Sequence, residues 1–125
     1  MISIRRVKKI NPMAPEAPQK HYARAIQKGV ADLDELAMLS AKQSSLSKAD
    51  CYGVLIALLD AITYRLREGD KIELGHLGSF RISVSSEGVA DEEDFSVAQI
   101  KKARILFTPE KDLKHLLNNL EYVRD

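Results

Sequence analysis

Apolar and polar positions change period several times along the chain, and each change predicts an element. Within the first ten residues the run ISIRRVKKI mixes β-branched and basic residues in imperfect alternation, which predicts an edge strand. NPMAPEAP follows, with Pro12, Pro15 and Pro18 inside seven residues. Proline suits neither a helix interior nor a central strand, so this stretch is a loop. A second short strand over Tyr22–Lys28, closed by Gly29, completes an N-terminal β-ribbon.

The period then becomes helical. Asp32 with Glu35 three residues on is a reciprocal capping arrangement, and Leu33, Leu36, Ala37 and Ser40 line one face of a helix that should end near Gln43–Ser45. Ser47 and Asp50 repeat the arrangement and open a longer helix. Cys51, Leu55, Leu58, Ile62 and Leu66 form its apolar stripe, which Val54, Ile56 and Leu59 widen. Arg65 and Arg67 suit the C-terminal end of the helix dipole, and Gly69 is placed to terminate the helix. The stripe is wider than a small core of this chain needs, so the helix calls for a partner.

After Asp70 the period falls to two. Ile72 and Leu74 alternate with Lys71 and Glu73, a GHLG corner follows, and Phe80, Ile82 and Val84 then alternate with Arg81, Ser83 and Ser85. This predicts a hairpin. The tract SSEGVADEEDFS holds five acids and no base, and a third strand follows in which Ala103, Ile105 and Phe107 alternate with Lys102 and Arg104. Thr108 reads as an N-cap and Pro109 as the first residue of a last helix, with Leu113, Leu116, Leu117 and Leu120 on its apolar face. Helices followed by contiguous strands indicate an α+β fold with an antiparallel sheet.

Composition narrows the class further. A chain of 125 residues has room for one small domain with an extension. One cysteine, Cys51, excludes an internal disulfide and falls on the apolar stripe as a small buried hydrophobe. No apolar run has the length of a signal peptide core or a membrane span, so a soluble cytoplasmic protein is expected. The formal net charge of +1 conceals an asymmetry: residues 1–28 hold seven bases against Glu16. Such local clustering suits a polyanion.

The chemistry of catalysis is missing from this pattern. A phosphate loop would set its glycines between a strand and a helix N-terminus, whereas Gly75 and Gly78 lie between two strands, with no Gly-Lys-Ser/Thr. They read as a tight corner. His21, His76 and His115 are scattered, and Asp112 with His115 has neither a third ligand nor a nucleophile. The expectation is no enzyme, no metal, no cofactor and no small-molecule substrate.

Several of these stretches together resemble a known family. LSKAD opening the second helix, LREGDKIEL joining it to the sheet, GHLGSFRISV at the corner and KKARILFTPEKDLKHLL at the end look like the bacterial HU and integration host factor DNA-bending proteins. Gly78, Ser79, Phe80 and Arg81 match the family signature, Leu77 stands where the family usually has an aromatic, and Phe107 matches its core aromatic. The resemblance spans roughly residues 31–120, and the whole chain is most similar to a subgroup of longer HU-related histone-like proteins with an N-terminal extension. It implies a division into a β-ribbon extension, 1–30, and an HU-like DNA-binding dimerisation domain, 31–125. It also implies a homodimer that buries Leu55, Leu58, Leu59 and Ile62, with Phe80 and Phe107 in the same core.

The resemblance further implies a nucleoid-associated protein that binds double-stranded DNA, largely without regard to sequence, through phosphates and the minor groove. By its match, Arg81, Lys101, Lys102 and Arg104 flank a β-arm, while Lys48, Lys111 and Lys114 sit where flanking phosphates are contacted. Arg5, Arg6, Lys8 and Lys9 could add a surface that shorter relatives lack. Relatives kink the duplex with an arm-tip proline. Here the arm is acidic and has none, which sets a second reading beside the first: an HU-like scaffold that has lost DNA and binds a basic partner through its acidic arm.

Overall fold

A computed structural model describes residues 1–125. The elements follow in the order β1 (Ile2–Lys9), β2 (Lys20–Ile26), α1 (Leu33–Lys42), α2 (Lys48–Arg67), β3 (Ile72–Glu73), β4 (Gly78–Ser86), β5 (Ile100–Pro109), α3 (Lys111–Asn118) and β6 (Tyr122–Arg124). They make an α+β fold with two three-stranded sheets, ordered β2-β1-β6 and β3-β4-β5. The chain divides into one unit of Met1–Asp32 with Leu116–Asp125 and another of Leu33–His115.

The first unit is built on the expected ribbon, whose second strand begins two residues earlier than its sequence suggests. β1 and β2 pair antiparallel from Ser3↔Ile26 to Lys9↔Lys20. The third strand is new. β6 runs parallel to β1, with Ile2↔Tyr122 and Ile4↔Arg124, and backbone bonds from Ile2 N to Glu121 O (2.8 Å) and from Asp125 N to Ile4 O (2.7 Å) bracket it. The tail, which the sequence groups with residues 31–125, therefore pairs with the N-terminal strand.

In the second unit α2 keeps one half of its expected cap. Ser47 Oγ accepts from Asp50 N–H at 3.1 Å, which satisfies an orphan donor of the first turn of α2. Gly69, at φ +91°, takes the chain out of the last turn in a conformation that suits glycine. Where α1 and α2 pack, Ala37 and Cys51 are buried, with Ser44 Oγ 4.0 Å from the Cys51 sulfur. The rest of the α2 stripe is far less covered: Leu55 and Ile62 are half-buried, and Leu58 and Leu59 are 42% and 50% exposed.

Two expectations are corrected here. Thr108 and Pro109 do not open the last helix. They extend β5 and lie opposite Ser79 and Gly78, because a pairing partner across the sheet outweighs a local capping preference, and α3 starts at Lys111. Likewise the acidic tract is not a simple β-arm. Pairing ends after a bulge at Ser85/Ser86, and the connection folds into 3-10 turns at Glu92–Asp94 and Val97–Gln99. In the second turn Ser96 Oγ accepts from Ala98 N–H at 3.3 Å while Gln99 Oε1 accepts from Ser96 N–H at 2.7 Å.

The accessible surface is 10690 Å². A compact monomer of 14.0 kDa exposes about 6,700 Å². Two separate compact units that share this mass in proportion to their lengths would still expose only about 8,000 Å². Much apolar surface is thus uncovered within the single chain.

Candidate nucleic-acid interface

The pleat of β4 and β5 sorts their side chains onto two unlike faces. Opposed pairs are Arg81↔Leu106, Ser83↔Arg104 and Ser85↔Lys102 on one side, and Phe80↔Phe107, Ile82↔Ile105 and Val84↔Ala103 on the other. The first side brings Arg81, Arg104 and Lys102 together in a zigzag, with short serines opposite two of the cations. Arg81 and Arg104 are diagonal neighbours, a relation that spans about 7–8 Å. None of the three takes part in an ion pair, so their charge is available to an external anion.

Lys101 does not join them. It is the residue that the register skips between Lys102, opposite Ser85, and Ile100, opposite Ser86, and its ammonium lies 3.7 Å from the Glu87 carboxylate. The alternation alone did not show that separation, because it reveals neither the extra residue of β5 nor Glu87 as a partner. On the apolar side the Phe80 and Phe107 rings stack at a tilted 4.9 Å, yet Phe107, Ile82, Val84 and Ile105 remain exposed.

The GHLG corner positions this sheet and the start of α3. Gly75 adopts φ +58°, and Leu77 N–H closes the turn onto Leu74 O at 3.2 Å. Gly78 is required by contact: a Cβ there would sit 2.5 Å from Thr108 O and 2.6 Å from the Phe107 ring. The carbonyl of Leu77 accepts from Glu110 N–H at 3.1 Å, and that of His76 accepts from Asp112 N–H at 3.3 Å. The corner thus supplies acceptors to otherwise unpaired donors at the N-terminus of α3.

The helix lysines have different surroundings. Lys48 donates to Asp34 at 2.9 Å, so its charge ties the start of α2 to α1. Lys111 and Lys114 are exposed on α3 and form no ion pair, while Asp112 lies 3.9 Å from His76. No group of three or more His, Cys, Asp or Glu side chains is placed to hold a metal ion. No helix is long and apolar enough to cross a membrane.

On β1 the four expected cations split by parity. Arg5 and Lys9 share one face, with Arg24 and Lys20 directly opposite them; Arg6 and Lys8 lie on the other, opposite Ala23 and His21. Arg5 is tied to Asp125 through Nε at 2.9 Å and through its Nη2, and Arg6 Nη1 lies 2.9 Å from His21 Nδ1. Lys20, Arg24 and Arg124 were missed as candidates. The first two could have been found by laying the predicted strands side by side, but Arg124 needed β6.

The solved structures include a relative in fold. The crystal structure of a candidate bacterial DNA-binding protein from Bacteroides vulgatus superposes with a TM-score of 0.68 over 98% of this chain, at 11% identity. The chain spans 47% of that protein's length, so it matches a part of it. No curated protein matches. The family comparison covers nearly the whole chain: residues 4–124 match the HU-HIG model, described as an HU domain fused to wHTH, Ig or glycine-rich motif, and the chain belongs to this family.

Proposed function

We propose that this chain is a DNA-binding, histone-like architectural module of the nucleoid that works as a homodimer, in the manner of longer HU-related proteins. The observation that carries the reading is the two-faced β4–β5 sheet. Its basic face, with Arg81, Lys102 and Arg104 unpaired, suits phosphate oxygens. The opposite apolar face is uncovered, as are Leu58 and Leu59 on α2.

The uncovered area supports the dimer. An excess of roughly 2,700 Å² per chain over two separate compact units, about 5,400 Å² for two copies, is at the upper end of what obligate dimers bury. A second copy would cover Leu55, Leu58, Leu59, Ile62, Phe80 and Phe107. Lys111 and Lys114 add flanking phosphate contacts. Lys101 and Lys48 contribute less, because Glu87 and Asp34 hold them.

Anisotropy of a short fluorescent duplex at about 50 and 200 mM salt tests this. Binding should weaken steeply across that range, and Arg81→Gln with Lys102→Gln and Arg104→Gln should flatten the dependence by about 2.7 in log–log slope for each sheet face that engages the duplex. Flat or absent binding refutes it. The second reading, an arm that binds a basic protein, is favoured by one observation. Asp91, Glu92, Glu93 and Asp94 form no ion pairs and stand beside Phe95, which is 69% exposed.

A further inference from the structure

The β2-β1-β6 sheet carries an arrangement that folding alone does not explain. Arg5 lies directly opposite Arg24, and four residues further along the same face Lys9 lies directly opposite Lys20. Like charges in opposed pairs oppose strand pairing, and here two such rungs occur on one face of one short ribbon. Asp125 relieves only the first rung, through Arg5. Between the rungs lies the pair Val7↔Tyr22, with the Lys9 ammonium 5.6 Å from the centroid of the Tyr22 ring. Each rung borders a depression: about 460 Å³ beside Arg5, Arg24, Val7 and Ile26, and about 360 Å³ beside Lys9, Lys20 and Tyr22.

We infer that this face of the ribbon is a second DNA-backbone site, in which Lys9, Lys20 and Arg24 hold phosphates while Arg6 and Lys8 on the opposite face do not. The inference rests on the reading of the chain as a DNA-binding module. Four residues of strand put the two rungs about 13 Å apart. That exceeds the ~6 Å width of the minor groove and about matches the ~12 Å of the major groove, so the two rungs can reach phosphates on both sides of a groove with Val7 and Tyr22 over the opening. A bound polyanion turns the repulsion within each rung into attraction toward a shared ligand, which explains why cations face one another there. The opposite face has no such rung: Arg6 stands across from Ala23 and is engaged with His21, and Lys8 stands across from His21.

Three variants of equal charge change separate the possibilities. The rung variant is Lys9→Gln, Lys20→Gln and Arg24→Gln, leaving the tie between Arg5 and Asp125 in place. The opposite-face variant is Arg6→Gln, Lys8→Gln and Arg124→Gln, and the sheet variant is Arg81→Gln, Lys102→Gln and Arg104→Gln. Duplex affinity is measured from about 50 to 200 mM salt, with thermal unfolding as a check on folding. The rung variant should lose about 2.7 in log–log slope for each ribbon engaged, the opposite-face variant little, and the rung variant should unfold no earlier than wild type.

Equal losses in both ribbon variants would mean a diffuse field and overturn the assignment to one face. A loss confined to the sheet variant overturns the inference and leaves the proposed function standing. A loss confined to the rung variant supports the inference and removes the sheet from the function. If the rung variant binds DNA as wild type does but loses a salt-sensitive self-association, the occupant is the acidic 91–94 segment of a second copy, and the inference is overturned. Absence of duplex binding by the wild-type chain overturns both readings.

Discussion

Replacing Leu58 and Leu59 together by alanine separates protomer stability from assembly. Alanine is the best helix former, so α2 should persist and the effect should report burial alone. In the single chain the two leucines are 42% and 50% exposed, so roughly half of each side chain is uncovered. Full burial of a leucine is worth about 1.5–3 kcal/mol, and the uncovered half about 1 kcal/mol. In the proposed dimer, two side chains from each of two protomers then contribute about 4 kcal/mol to association, close to a thousandfold in the dimer dissociation constant. Sedimentation equilibrium over a range of concentrations reads this directly. Wild type should also unfold at a temperature that rises with protein concentration, as folding linked to assembly requires. An unchanged dissociation constant refutes the argument. So does a monomeric wild type, or a stability loss that is independent of concentration, which would place the leucines in the protomer's own core.

Other consequences follow from single contacts. Gly78→Ala should cost about 1–3 kcal/mol or more in urea unfolding, since its Cβ meets a backbone oxygen of β5 and the Phe107 ring that packs on Phe80; an effect below about 0.5 kcal/mol would show that the corner can relax. Ser47→Ala should cost about 1 kcal/mol by removing the acceptor for Asp50 N–H, and Ser47→Asp should restore it. Asp34→Asn should change stability by no more than about 1 kcal/mol, because its partner Lys48 is half exposed, but it should strengthen duplex binding at low salt by freeing that lysine. Lys101→Gln should affect duplex binding less than Lys102→Gln, a comparison by anisotropy that tests whether Glu87 withholds the charge of Lys101.

The division between local and tertiary information is visible residue by residue. Ser47, Asp50 and Gly69 act through atoms within a few positions of themselves, so the bounds of α2 were legible from the chain. The alternation of Phe80, Ile82 and Val84 with Arg81 likewise made the strand and its two faces readable, because a pleat has period two in any partner's company. The width of the α2 stripe also made it readable that part of it, Leu58 and Leu59, stays uncovered in the single chain. Thr108 and Pro109 read differently in isolation, since a cap is a local preference of about 1 kcal/mol that a paired strand overrides.

What lay beyond local reading depends on contacts between distant residues. β6 is three residues long and carries no strong pattern of its own; it becomes a strand because β1 offers a free edge, more than a hundred residues away in sequence. The pairing of Arg5 with Asp125 follows from it. The opposed cation rungs arise from the register of β1 with β2, and one residue of slip would have set Arg5 and Lys9 opposite other partners. The engagement of Lys48 by Asp34 and of Lys101 by Glu87 depends on how the elements pack, and it decides which of many similar bases keep their charge for a ligand. Composition shows that cations are present; only their pairing in space determines which ones are free.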